Sequence, residues 1–99
     1  MASDNARYIV VSIPNEKRRE GLFKYLDDPR YRRHVVERTN SKRVLTIGLF
    51  NRLQSKIDTY RFARVSLIED AGDGEYTVVV PDARPMSDSY AEILRRIRY

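Results

Sequence analysis

Basic side chains are concentrated in the middle of this chain, and their types and spacing suggest contacts with an anionic partner. Residues 17 to 64 carry fourteen Lys or Arg against five Asp or Glu, whereas residues 69 to 92 carry one against seven. The electrostatic field of this charge distribution attracts a polyanion to the first segment and repels it from the second, provided that the fold brings the charges of each segment together. The pattern therefore predicts binding of RNA or DNA through residues 17 to 64.

The types of these residues favour phosphate contacts. Fifteen of the nineteen basic residues are Arg, whose planar guanidinium makes bidentate contacts to phosphate. Tyr25, Tyr31, Tyr60 and Tyr90 are of a type that stacks on unpaired bases, although tyrosine also packs in protein cores. The residues expected to contact nucleic acid are Arg18, Arg19, Arg30, Arg32, Arg33, Lys42, Arg43, Arg52 and Lys56.

This hypothesis makes a geometric demand on the fold. Arg32, Arg33, Lys42 and Arg43 should share one exposed face with Arg52 and Lys56. Contacts made mostly to phosphate carry modest sequence specificity, and they leave the choice between RNA and DNA open. The leading hypothesis is therefore a non-catalytic binding protein.

Other kinds of site lack the residues they need. The chain has no cysteine and one histidine, His34, so a histidine or thiolate zinc site is excluded. The acidic stretch EDAGDGEYTVVV fails as a calcium loop because Ala71 and Val80 fall at its third and twelfth positions when Gly74 is the sixth. No glycine-rich loop precedes a Lys-Ser or Lys-Thr pair. We expect no metal and no cofactor.

Three parts of the chain have clear secondary-structure patterns. The apolar, β-branched run Tyr8–Ile13 predicts a central strand covered on both faces, and residues 15–28 predict a helix. Residues 61–69 and 75–81 flank turn-forming glycines and aspartates and predict a hairpin. Residues 86–99 predict a helix, with Ser89 and Glu92 at the spacing of a capping box.

The segment between them has two interpretations. Asp28 before Pro29 is an N-cap signal followed by proline at the first helical position, which predicts a second helix. The alternative is a hairpin formed by residues 34–39 and 43–49. The stripe of Val44, Ile47, Phe50, Leu53, Ile57 and Tyr60 predicts a further helix.

The preferred interpretation gives an α+β fold with a small, mainly antiparallel sheet packed with helices, in the order β-α-α-α-β-β-α. The alternative hairpin gives a ferredoxin-like order with an extra strand and helix. At 99 residues the chain has room for one domain, residues 1–99, which can gain stability by forming a homodimer. No run is long and apolar enough for a membrane span or a signal peptide, so we expect a cytoplasmic location.

Residues 51–99 resemble the second half of RelE/ParE-type toxins. The similarity lies in NRLQSKIDTYRF and in the later stretch TVVVPDARPMSDSYAEILRRI. It implies ribosome-dependent mRNA cleavage, with Arg61 and Arg84 stabilising the phosphate and Tyr90 as a candidate base. Those toxins have one more strand, with a further arginine, between the two matched strands.

The stretch EYTVVVPDARPMSDSYAEILRRI is also similar to the small linker domains of phycobilisomes. Those domains are basic proteins that bridge acidic ones. The similarity implies a third hypothesis, in which the chain is a non-catalytic adaptor or inhibitor that binds an acidic protein surface.

Overall fold

The structure, a computed structural model, describes residues 6–60, 62–72, 74–83 and 86–97. Its strands are β1 (Arg7–Ser12), β2 (Val35–Arg38), β3 (Lys42–Thr46), β4 (Arg64–Gly72) and β5 (Glu75–Val80). Its helices are α1 (Glu16–Leu26), α2 (Ile47–Asp58) and α3 (Met86–Ile97), with a 3-10 helix at Pro29–His34. The predicted α+β class is confirmed.

The five strands form one antiparallel sheet in the order β2-β3-β1-β4-β5. β1 lies at its centre, where Ile9 pairs with Leu45 of β3 on one side and with Leu67 of β4 on the other. Its sequence predicts covering on both faces, and this is wrong: Ile9 and Val11 lie in the core, whereas Tyr8 and Val10 on the other face are only half-buried. The central position predicted for this strand is confirmed.

The helices cover one face of the sheet. We call Ile9, Val11, Leu45, Val65 and Leu67 the covered face. These side chains are fully buried and share one core cluster with Leu22 of α1, Phe50 of α2 and Ile93 of α3. Because neighbouring residues of a strand point to opposite faces, the intervening side chains lie on the other side of the sheet.

The second helix predicted to begin after Asp28 is wrong, because only a short 3-10 helix forms there before the chain continues as a strand. Asp28 does cap it, since its side chain accepts a hydrogen bond from the Arg30 N–H at 2.9 Å, and Pro29 follows as expected. The 3-10 helix nevertheless ends at His34, and Val35 pairs with Leu45 in the hairpin of β2 and β3. Pairing with a distant strand outweighs the local cap signal because it buries Val35 in the core.

The next helix also starts later than its apolar stripe suggests. Val44 belongs to β3, and Thr46 caps α2 by accepting a hydrogen bond from the Leu49 N–H at 3.3 Å. The order β-α-α-α-β-β-α is therefore wrong. The regular elements follow β-α-β-β-α-β, then one more strand and helix, as the alternative with a hairpin expects.

The predicted hairpin after residue 64 is confirmed. Gly72 and Gly74 have φ angles of 88° and 78°, a left-handed conformation that glycine adopts without strain. Ser89 lies inside α3 and is buried, so its predicted capping role is wrong. None of the helices in the described part of the chain is long and apolar enough to cross a membrane.

Candidate nucleic-acid interface

β3 separates two of the predicted phosphate-binding residues. Lys42 pairs with Ser12 and Arg43 pairs with Val11, so the two adjacent side chains lie on opposite faces of the sheet. Lys42 is exposed on the face away from the helices, whereas Arg43 lies on the side of the helices. The prediction that these residues share one face with Arg52 and Lys56 is wrong, because a strand alternates where a helix would not.

Arg43 is a structural residue. Its side chain is only 11% exposed, and its guanidinium lies 4.1 Å from the ring centroid of Phe23. It donates hydrogen bonds to both carboxylate oxygens of Asp27, at 3.0 and 3.1 Å, and to the backbone carbonyls of Thr39 and Lys42. These contacts tie the turn between β2 and β3 to the end of α1 and use four of the five N–H donors of Arg43.

Asp27 completes this contact. The hydrogen bond from Arg43 lowers the pKa of the Asp27 carboxyl, and Arg38, at 3.3 Å, lowers it further. The bound form of Asp27 is therefore the carboxylate, whose negative charge is shared by the two guanidinium groups of Arg38 and Arg43.

An open groove of about 1030 Å³ lies beside this group along α1. Its lining alternates in sign, with Glu16 and Glu20 of α1 beside Arg19 and Lys24. Arg18, also on α1, lies with its guanidinium carbon 5.1 Å from the ring centroid of Phe62. The predicted contacts Arg18 and Arg19 thus lie among acids and aromatic rings, which weakens the attraction of the groove for a polyanion.

The remaining predicted residues lie on the 3-10 helix and α2, which contact each other. We call the following residues the cationic surface: Arg30, Arg32, Arg33, Arg52 and Lys56. All five side chains are exposed. Arg52 and Lys56 are four residues apart on α2, so they project from the same side of the helix. Five of the nine predicted contact residues are therefore exposed on two elements that contact each other.

Tyr25 and Tyr31 contact each other and two cations of the cationic surface, Lys56 and Arg30. The hydroxyl oxygens of Tyr25 and Tyr31 lie 3.4 Å apart. Lys56 Nζ is 5.0 Å from the ring centroid of Tyr25, and the Arg30 guanidinium carbon is 5.4 Å from that of Tyr31. Each cation lies over a ring face, an attractive geometry that restricts its motion.

Most charges of the cationic surface are unpaired within the described residues. Arg30 contacts the Asp28 carboxylate at 3.2 Å, and hydrogen bonds from Arg30 lower the pKa of Asp28. Arg32, Arg33, Arg52 and Lys56 make no ion pair with any residue of the described ranges. These four side chains keep their charge available to an anion from solution.

The four tyrosines predicted as stacking residues serve the core. Tyr31 is buried, and Tyr25, Tyr60 and Tyr90 are half-buried against the core cluster. Among the tyrosines of the described ranges, the exposed one is Tyr76, at 46%, on the face of the sheet opposite the helices. Sequence reasoning missed it, although its position in the alternating stretch EYTVVV is a signal for one exposed face.

Tyr90, the candidate base of the toxin resemblance, links two helices. Its hydroxyl donates a hydrogen bond to Gln54 Oε1 at 3.2 Å, and its ring lies 5.6 Å from that of Phe50. Burial raises the pKa of Tyr90, which favours the protonated phenol. Arg61 and Arg84 lie outside the described residues, so the cleavage hypothesis stays a prediction.

Comparison with known proteins returns no match among protein-family models, curated sequences or solved structures. Within the described ranges, no group of three His, Asp or Glu residues is placed to hold a metal ion.

Proposed function

We propose that the protein binds nucleic acid through the phosphate backbone, with the cationic surface as its contact site. The observation that carries this proposal is that five exposed cations lie on the 3-10 helix and α2, which contact each other, and that four of them have no carboxylate partner among the described residues. Unpaired cations release bound counterions from nucleic acid when they contact phosphates, and this release is the main source of affinity.

The geometry supports phosphate contacts rather than recognition of bases. Tyr25 and Tyr31 are packed against the core and already lie under Lys56 and Arg30. Without an open ring at this surface, base stacking adds little, so binding is expected to tolerate many sequences.

We further infer that the first six regular elements form a ferredoxin-like unit. The support is the order β-α-β-β-α-β together with a sheet in which β3 separates β2 from β1, and β1 separates β3 from β4. β5 and α3 are additions to this unit.

The test is a salt titration of binding by the full chain. A fluorescently labelled random 20-nucleotide RNA, and a DNA duplex of equal length, are titrated at several salt concentrations, with anisotropy as the readout. We expect micromolar or tighter binding at low salt, and an affinity that falls steeply as salt rises. Absence of binding at low salt would overturn the proposal and favour the acidic-protein hypothesis.

A pair of charge-matched variants locates the contact. Arg33→Ala with Arg52→Ala removes two charges from the cationic surface, whereas Lys17→Ala with Lys24→Ala removes two exposed charges from α1. The first variant should lower the slope of log affinity against log salt by about 1.4 to 1.8, the loss for two phosphate contacts. The second should change the slope much less. Equal effects would show that net charge alone governs binding.

A further inference from the structure

The face of the sheet opposite the helices is apolar; Tyr76 and Val78 of β5 are exposed on it, whereas Val44 and Ile68 are buried at 6% and 8% exposure. We call it the open face; its apolar residues are Tyr8, Val10, Val44, Ile68, Tyr76 and Val78. None of these six belongs to the core cluster beneath the helices. Val78 is 59% exposed and Tyr76 46% exposed, and the Tyr8 and Tyr76 rings meet edge to face at 6.1 Å. Contiguous apolar surface of this kind marks an interaction site.

We propose that the open face binds a second copy of this chain. The partner is identified by the charges of β4, which carries Arg64 at its start and Asp70 near its end. Arg64 pairs with Ser12 and Asp70 with Tyr76, so both side chains lie on the open face, six residues apart. One face thus has a positive and a negative end, which is the requirement for self-complementarity.

The charges select one arrangement of the two copies. A two-fold axis perpendicular to the strands sets β4 antiparallel across β4 of the copy, so each Arg64 faces the copy's Asp70, and this contact occurs twice. Tyr8 then lies opposite Val10 of the copy. An axis parallel to the strands would instead place Arg64 against Lys42 of the copy, which is repulsive.

Both charged groups are able to make this contact. Arg64 has an ion pair with Asp82 at 3.8 Å, and the side chain of Asp82 is 50% exposed. Exposed pairs of this length contribute little free energy and exchange readily. Asp70 accepts a hydrogen bond from the Gly72 N–H through Oδ1 at 2.8 Å, and its other carboxylate oxygen has no hydrogen-bond partner among the residues that the structure describes.

The area suits a weak dimer. Five strands about 4.8 Å apart and about 20 Å long present on the order of 500 Å² from each copy. The total of about 1,000 Å² is near the lower limit for a specific interface. We expect a dissociation constant on the order of 10 to 100 µM, with the two sheets packed about 10 Å apart.

Nucleic acid is a poorer occupant of this face. The exposed ring of Tyr76 lies beside Asp70, its partner across the strand pair. The Asp70 carboxylate beside the Tyr76 ring repels a phosphate backbone, whereas Lys42 and Arg64 lie at the other end of the face, both in register with Ser12.

Charge reversal across the proposed contact tests the dimer. Sedimentation velocity over 1 to 200 µM should show reversible dimerisation of the unaltered chain. Arg64→Asp alone and Asp70→Arg alone each place like charges opposite each other, and each should weaken self-association at least about tenfold. An equimolar mixture of the two variants should form a heterodimer, because both contacts then join opposite charges.

The mixing experiment also separates a misfolded variant from a failed contact. A chain that has lost its fold will not recover on mixing, and circular dichroism identifies it. In that case the double variant Arg64→Asp with Asp70→Arg, which keeps the net charge, should dimerise like the unaltered chain.

Three outcomes would overturn the proposal. They are a monomer at every concentration, a dimer that neither single variant weakens, and two folded variants that do not associate when mixed. Loss of RNA affinity in Tyr76→Ala would assign the open face to nucleic acid instead. The variant Arg33→Ala with Arg52→Ala should dimerise normally, so failure of the nucleic-acid proposal is distinguishable from failure of this one.

Discussion

Lys42 and Arg43 are neighbours in sequence, yet they lie in opposite environments. Arg43 enters the helix side of the sheet, where it is almost buried between Phe23 and Asp27. Lys42 extends from the other side into solvent. The same contrast separates the covered face, whose side chains are buried, from the open face, where Val78 and Tyr76 stay exposed. Position relative to the helices, rather than residue type, decides whether a side chain stabilises the fold or remains free to bind.

The largest expected difference between the two faces is in the cost of removing an apolar side chain. Leu67 on the covered face is fully buried, so Leu67→Ala should lower the free energy of unfolding by about 2 to 5 kcal/mol. Val78 on the open face is 59% exposed, and Val78→Ala should cost less than about 1 kcal/mol. Urea denaturation followed by circular dichroism measures both.

That measurement should be made at low protein concentration, so that self-association does not stabilise the unaltered chain. Equal losses of unfolding free energy in Leu67→Ala and Val78→Ala would show that the open face is covered in solution. The two faces would then not differ in burial.

The second expected difference is between the two basic neighbours on β3. Arg43→Ala removes hydrogen bonds to the Asp27 carboxylate and to two backbone carbonyls, and should cost about 2 kcal/mol. Lys42→Ala removes one exposed charge, and stability should stay within about 0.5 kcal/mol. Thermal unfolding of the two variants, which have the same net charge, isolates the structural role of Arg43.

If Lys42→Ala proved as destabilising as Arg43→Ala, the placement of the two side chains on opposite faces of the sheet would be wrong.

The same two variants also test the binding proposal. Neither residue belongs to the cationic surface, so the salt dependence of RNA binding should change less than in Arg33→Ala with Arg52→Ala.

The smallest expected effect is a dependence of stability on pH through Asp27. Hydrogen bonding to Arg43 holds the folded pKa of Asp27 below its unfolded value, which is about 3.9. The stabilisation is therefore fully present above about pH 4 and is lost as the pH falls through the folded pKa. Asp27→Asn should cost about 1 kcal/mol at pH 7, since the side chain is partly exposed.

Urea midpoints measured between pH 2 and pH 7 test this effect. The unaltered chain should lose more stability on acidification than Asp27→Asn does. Arg43→Ala should reduce the difference, because Asp27 then lacks its main partner. An unchanged pH dependence in both variants would show that the pair does not stabilise the folded state.

Patterns local in sequence predicted much of the fold. The almost continuous apolarity of Tyr8–Ile13 predicted the central strand correctly, although only one of its faces is covered by the helices. The glycines at 72 and 74 predicted the hairpin because its turn needs positive φ angles. The N-cap at Asp28 was also found, and it does start a helical turn.

The errors came from interactions between distant residues. Nothing near Val35 or Val44 in sequence indicates that Leu45 will pair with Ile9, and this pairing turns a predicted helix into a hairpin. The candidate site failed in part for the same reason. Once Lys42 and Arg43 lie on a strand, they alternate between faces, and only the cations of the 3-10 helix and α2 stay together.

The sequence by itself determined that the chain is an α+β protein with a basic segment followed by an acidic one. Composition, apolar periodicity and turn residues carry that information because they act over a few neighbouring positions. The tertiary structure alone decided which cations are free, which tyrosine is exposed and which face of the sheet is open. Those properties depend on strand register and helix packing, where residues far apart in the chain bury or neutralise one another.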